Sequence, residues 1–193
     1  MRYWKKFVNS LHHRTNDEII AMCRAAGLKQ LGKVNKWSSR IVFELNDNWV
    51  IKICLSEIGV EQNECEYRLW DSLSIGCEHY KKYFAKLYPE MCDTLDYRFI
   101  VMQRLINSTE TKKGLIAAAK RYNPKNSKFF KSIKDIDLHS DSCNEGDIKS
   151  SNLGKDRNDN IKLLDYGCNR KVVNAFYRAR WNNDTAKVIK TTI

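Results

Sequence analysis

The stretch that decides the fold reads GDIKSSNLG over residues 146–154 and NIKLLDYG over residues 160–167. Four residues separate Asp147 from Asn152, and the run from Ser140 to Ser151 is polar enough to read as a loop. In a tight loop between a helix and a strand, that spacing can set a carboxylate and an amide on one face of a phosphate. The carboxylate can orient a hydroxyl and take its proton, while the amide reaches back to a metal ion. Lys149, two residues after Asp147, can stabilise charge that grows on a transferring phosphoryl group. Ile161-Lys162-Leu163-Leu164 then reads as a short buried strand that delivers Asp165, a carboxylate suited to a hard cation such as Mg2+, and then Gly167. Each half alone is a weak signal. D-x-x-x-x-N recurs by chance, and a strand ending in Asp-Tyr-Gly can be an ordinary turn; their succession points to phosphate chemistry.

Upstream, residues 1–30 read as helical, with a Thr15-to-Glu18 capping box ahead of the apolar Ile19, Ile20, Met22 and Cys23, and a stop at Gly27. The period then changes. Ile41–Leu45 and Trp49–Ile53 are short β-branched and aromatic runs around Asn46-Asp47-Asn48, the pattern of a hairpin. Residues 60–75 return to helical spacing, with Val60, Cys65, Leu69, Trp70 and Leu73 available for one face. Phe84–Tyr88 reads as extended, interrupted by Pro89, and Tyr97–Met102 as a strand. Leu115–Tyr122 and Phe129–Leu138 are helical patterns, and residues 172–193 read as a further helix. The plan is α+β, with a strand-rich first half, a helical second half and a boundary at Gln103-Arg104-Leu105. A cleft between the halves is the expected ligand site.

This order of motifs resembles the protein-kinase-like superfamily, in particular the small truncated kinase-like proteins encoded by bacteriophages. Asp165-Tyr166-Gly167 stands where the family has D-F-G, and Val50-Ile51-Lys52-Ile53 looks like its V-A-I-K strand. The resemblance implies a bilobal fold: a helical extension at 1–30, a strand-rich N-lobe at 31–105 and a reduced helical C-lobe at 106–193. It implies ATP and Mg2+ as cofactors. Lys52 would contact the α- and β-phosphates, tethered by a carboxylate of the following helix; Glu66 is favoured, ahead of Glu64, with Glu61 also in range. Asn152 and Asp165 would hold Mg2+, and Asp147 would be the catalytic base. Met102 would lie behind the adenine, with backbone groups of Gln103 to Leu105 at its edge. Leu31–Arg40 occupies the place of the phosphate-covering loop but has one Gly, Gly32, so Ser38 and Ser39 backbone groups or Lys36 would substitute. The family's H-R-D is Glu145-Gly146-Asp147 here, no A-P-E is present, and 28 residues follow Asp165 in the 193-residue chain. A full peptide-binding lobe is therefore not expected.

Composition bounds the rest. Hydrophobic residues make up 42% of the chain, enough for a packed core. No apolar run approaches the roughly 18 residues of a membrane span, and the charged N-terminus is unlike a secretory leader, so a cytoplasmic protein is expected. The seven cysteines include no C-x-x-C pair, which favours reduced, buried thiols. His12-His13 reads as part of a solvated helix face rather than a metal clip. The net charge of +11 suits an acidic or nucleic-acid-associated protein substrate; direct binding of nucleic acid is the weaker expectation. The leading reading is a minimal Ser/Thr protein kinase. Its alternatives are a pseudokinase that inhibits or scaffolds a host protein, and a small-molecule phosphotransferase.

Overall fold

Thr15 and Glu18 form the reciprocal cap expected of them. The Glu18 N–H donates to Thr15 Oγ1, and the Thr15 N–H donates to the Glu18 carboxylate at 2.7 Å. Two backbone donors that a helix start leaves bare are thereby satisfied. This cap follows helix α1 (Arg2–Asn9) and opens α2 (Asn16–Ala25). Strands β1 (Lys29–Leu31), β2 (Arg40–Asn46) and β3 (Trp49–Cys54), helix α3 (Glu57–Ser72) and strand β4 (Phe99–Gln103) come next. After them, β5 (Leu153–Lys155) and β6 (Ile161–Leu163) form a hairpin. The computed structural model describes residues 2–36, 38–73, 78–106 and 152–167. Over these the protein is a mixed helix-and-sheet structure with antiparallel sheets. The helices expected at Leu115–Tyr122, Phe129–Leu138 and 172–193 lie outside the described residues, as do Asp147 and Lys149.

Four strands make one sheet in the order β1-β2-β3-β4. Every residue of β3 is buried, so both faces of the sheet are covered. On one face Ile41, Phe43, Ile51, Ile53, Phe99 and Val101 pack with Val8, Leu11, Ile19, Ile20 and Cys23 of the N-terminal helical region. On the other, Val50, Ile100 and Met102 pack with Leu69, Trp70 and Leu73 from α3 and its end, and with Leu153, Leu163 and Tyr166 around the hairpin. Removing such large side chains from water supplies roughly 1.5–3 kcal/mol each before chain entropy is subtracted. Backbone bonds hold the hairpin to the sheet region: Ala85 N–H to Leu163 O at 2.8 Å, and Ile106 paired both ways with Lys155.

Several expectations are corrected in detail. Helix α3 begins at Glu57, and its buried residues include the polar Gln62, Asn63 and Glu66 beside Leu69 and Trp70, while Val60 and Cys65 are only partly buried. Tyr97 lies outside β4, in a left-handed conformation (φ 51°). Phe84–Tyr88 contributes isolated bridges, Phe84 to Leu163 and Leu87 to Met102, rather than a strand. His12 and His13 lie beyond α1, and the His12 ring packs edge-on against Phe99 at 5.2 Å. Cys23, Cys54 and Cys92 are buried thiols, and burial pushes each up to about 12, far from reactive thiolate. Among the described residues no helix is long and apolar enough to cross a membrane.

Gly59, inside the first turns of α3, lets that helix lie against the start of β2. A Cβ there would collide with the Ser39 carbonyl oxygen and press to 3.2 Å from Arg40 Cγ. Alanine in an exposed helix interior gains about 0.5–1 kcal/mol over glycine. Gly59→Ala should instead lower stability by about 1–3 kcal/mol, the usual cost of overpacking. Urea unfolding measures it, and a gain in stability would contradict this packing.

Candidate functional site

A bulge decides which side chains meet. The turn at Asp47-Asn48 pairs Asn46 with Trp49, but from Glu44 onward the register shifts, giving Glu44↔Val50, Val42↔Lys52 and Arg40↔Cys54. Leu45 is the extra residue, and one extra residue reverses the facing of all that follows relative to the partner strand. Lys52 consequently shares a face with Val42 and Arg40 rather than with Ile41 and Phe43. That face looks toward α3, whose Glu66 is completely buried.

Lys52 Nζ lies 2.9 Å from Glu66 Oε1 and 3.1 Å from Oε2, and it donates to the Leu164 carbonyl oxygen at 2.8 Å. An ammonium has three hydrogens, and these three acceptors match them. Of the candidate glutamates, Glu66 is thus the one beside Lys52. Glu64 is partly buried and pairs with the exposed Arg68 at 2.5 Å, and Glu61 is partly buried too.

Arg40 completes the group, and no sequence motif singles it out. Its Nη1 donates to Glu66 Oε1 at 3.0 Å and to Asn63 Oδ1 at 3.2 Å, and its Nη2 to Asp165 Oδ1 at 2.6 Å. Two cations therefore face two carboxylates. Three of the four side chains are nearly sealed, at 7% exposure for Arg40, 6% for Lys52 and 0% for Glu66, whereas Asp165 keeps 35%. Burial lowers the Lys52 pKa, Glu66 opposes that, and Arg40 adds to the lowering. Burial alone would also lower that of Arg40, but Glu66 and Asp165 hold it above its ordinary value. For Asp165 burial works upward, and Arg40 and Lys52 overcome it, holding the carboxyl well below the usual carboxylate range.

The segment after β6 is clamped to α3. Tyr166 N–H donates to Glu66 Oε1 at 3.3 Å, and the buried Tyr166 ring meets Phe84 edge-on with its hydroxyl donating to Ala85 O at 3.1 Å. Gly167 permits the close approach, because a Cβ there would collide with the Gln62 carbonyl. The Leu164 N–H donates to the Asn152 carbonyl oxygen at 2.8 Å, which ties the backbone of Asn152 to the residue before Asp165. A half-buried carboxylate, with an amide residue bonded through its backbone to the preceding position, is a donor set that fits a hard divalent ion such as Mg2+.

The remaining expected residues lie around this centre. Leu31, Val42 and Leu105 are partly buried hydrophobics packed against the core cluster to which Val50, Met102 and Leu153 belong, and a flat aromatic ligand could cover them. Met102 itself is buried at 1% exposure. The Arg104 N–H is taken by Asn48 O, and the Gln103 side chain accepts from Lys162 Nζ at 3.0 Å. Ser39 Oγ donates to Gln62 Oε1 at 2.5 Å, and Ser38 Oγ accepts from Asn35 N–H at 3.0 Å. These bonds join the Ser39 side chain to α3 and fold the Asn35–Ser38 turn on itself. In sequence, no known protein family matches the chain, and no curated protein matches it.

Glu66→Ala should cost about 3–5 kcal/mol, because it leaves two buried cations short of a partner. Glu64→Ala, at an i,i+4 helical pair whose arginine lies in solvent, should change stability by less than about 0.5 kcal/mol. Equal effects in denaturant melts would remove the distinction between these carboxylates.

Asp165 also sets an acid dependence. Its folded pKa lies below the unfolded value, so its stabilising contribution is full above about pH 4 and fades as pH falls toward the lowered value. The stability advantage of the wild type over Asp165→Asn should shrink in that acid range. An advantage that grows on acidification would mean that the folded protein raises, rather than lowers, the pKa of this carboxyl.

Proposed function

We propose that the chain is a minimal kinase-like phosphotransferase that moves the γ-phosphoryl group of ATP to a Ser or Thr hydroxyl of a protein. The observation that carries this reading is the meeting of Lys52, Glu66 and the Asp165 segment, which come from a central strand, the helix after it and a distant hairpin. Lys52, tethered by Glu66, would hold the α- and β-phosphates. Asn152 and Asp165 would hold Mg2+, which when bound neutralises phosphate charge. Asp147 would take the hydroxyl proton and Lys149 would stabilise the transferring group. The adenine would cover Leu31, Val42 and Leu105 with Met102 behind it and the backbone of Gln103 to Leu105 at its edge. Ser38 and Ser39 would lie near the phosphates. On this reading the sheet and α3 form the N-lobe, and the hairpin belongs to a reduced C-lobe. The basic composition suits an acidic or nucleic-acid-associated protein as substrate, and the resemblance to phage proteins suggests host machinery in the host cytoplasm.

A non-catalytic scaffold is the second reading, and one observation favours it. The three Lys52 hydrogens are all matched by protein acceptors, and Asp165 is already capped by Arg40. Phosphates would have to displace those contacts. The two readings separate experimentally. With labelled ATP and Mg2+, the wild type should transfer label to itself or to proteins of a bacterial lysate, and Asp165→Ala should lose at least about a hundredfold of that rate. Saturating Mg2+–ATP should also raise the melting temperature by several degrees, on the order expected for a ligand well above its Kd. Equal, background-level labelling by both proteins would sink the enzyme reading, and no thermal shift would favour the scaffold.

A further inference from the structure

Lys52, Glu66 and Asp165 each have a part in the proposed phosphotransfer, but Arg40 has none. It is nonetheless committed to three different residues, with bonds to Asn63, Glu66 and Asp165. Its 2.6 Å bond to Asp165 Oδ1 is the shortest in the group. Asp165 is also the one of the four charges with substantial exposure, so an incoming cation meets the carboxylate that Arg40 already neutralises.

We propose that Arg40 is a resident counter-ion that competes with divalent metal for Asp165, so that a metal–nucleotide complex binds only by loosening the Arg40–Asp165 pair. The inference rests on reading Asp165 as the metal-facing carboxylate. A guanidinium on a carboxylate oxygen reduces the charge available to a cation. It would also stand within a few ångströms of a divalent ion on the same group, where repulsion is large in a partly sealed site. Glu66 cannot absorb Arg40 without loss, because its two oxygens already accept from Lys52 and from Tyr166 N–H. The coupling is reciprocal: if the pair weakens metal binding, metal must weaken the pair by the same free energy. Arg40 thereby stabilises the metal-free protein and raises the metal concentration needed to fill the site.

The full chain carries the test. Mn2+ binding is measured without nucleotide, by the loss of the free-ion magnetic-resonance signal, for the wild type, Arg40→Gln, Arg40→Lys and Asp165→Asn. Arg40→Gln should bind Mn2+ on the order of tenfold more tightly than the wild type, because one unit charge beside the ligand is gone. Arg40→Lys, which keeps the charge but reaches less far, should fall between them, and Asp165→Asn should abolish the site. Thermal melts should cross: Arg40→Gln melts below the wild type in chelator and gains more from added Mn2+. A purely structural role for Arg40 would lower the melt without enlarging that gain. Unchanged or weaker Mn2+ binding in both Arg40 variants, with binding still lost in Asp165→Asn, overturns the counter-ion while leaving the metal assignment standing. If Arg40→Gln does not fold, Arg40→Lys alone decides, and no gain in affinity overturns the proposal. Absence of binding in every variant, with or without ADP, overturns the proposal together with the reading beneath it.

Discussion

The Glu66 carboxylate is the point on which the arrangement turns. It has no exposure to solvent, and it accepts from Lys52 with both oxygens, from Arg40 and from the Tyr166 backbone. Those donors belong to β3, β2 and the segment after β6, so a single side chain on α3 ties three other parts of the chain. A buried carboxylate is tolerable only when charge and hydrogen bonds compensate for lost water, and here both do. The same requirement explains why the helix presents Gln62 and Asn63 to the interior. Gln62 accepts from Ser39, and Asn63 accepts from Arg40 and donates to Tyr97 O at 2.9 Å. A wholly apolar α3 could pack on this sheet, but it could not hold two cations at its centre.

Much of this is legible in the chain itself, and what is not has a definite cause. The capping box at Thr15, the hairpin runs and the Lys52 strand are local patterns, and local patterns survive folding. Choosing Glu66 over Glu64 rests on helical spacing from Trp70, which places Glu66 one turn away on the same buried side. Arg40 escapes a sequence reading because facing depends on register. A plain two-residue turn at Asp47-Asn48 would set Lys52 opposite Phe43, on the face that the N-terminal helices cover. The bulge at Leu45 moves Lys52 opposite Val42, and with it brings Arg40 into the same group. Bulges leave little trace in composition, so that face could not be assigned from alternation alone. The buried polar side of α3 is hidden for a related reason. Gln62, Asn63 and Glu66 look like solvated residues until their partners on β2 and β3 are known.

The helices at the N-terminus act on the site without touching it. Residues of α1, α2 and the turn between them pack on the sheet face opposite Lys52, so β3 is enclosed from both sides. A strand enclosed in this way has little freedom to slide or twist, and the position of Lys52 is set by its packing as well as by its ion pair. This matters because an ammonium with three short bonds tolerates small displacements poorly. Loss of apolar contacts on the far face would be transmitted to the charge cluster through the shared strand.

The cluster also shows how a strongly basic chain keeps its interior electrically balanced. The excess of 34 Lys and Arg over 23 Asp and Glu belongs to the whole sequence, yet the four buried and half-buried charges around Glu66 sum to zero. Net positive charge at the centre would favour an anion there and destabilise the protein whenever the anion was absent. Balancing two cations against two carboxylates avoids that penalty, but it leaves no surplus attraction for a phosphate. Any anionic ligand of this site must therefore bring its own counter-charge or break an existing pair, and the pair with the least to lose is the one that reaches solvent, Arg40 with Asp165.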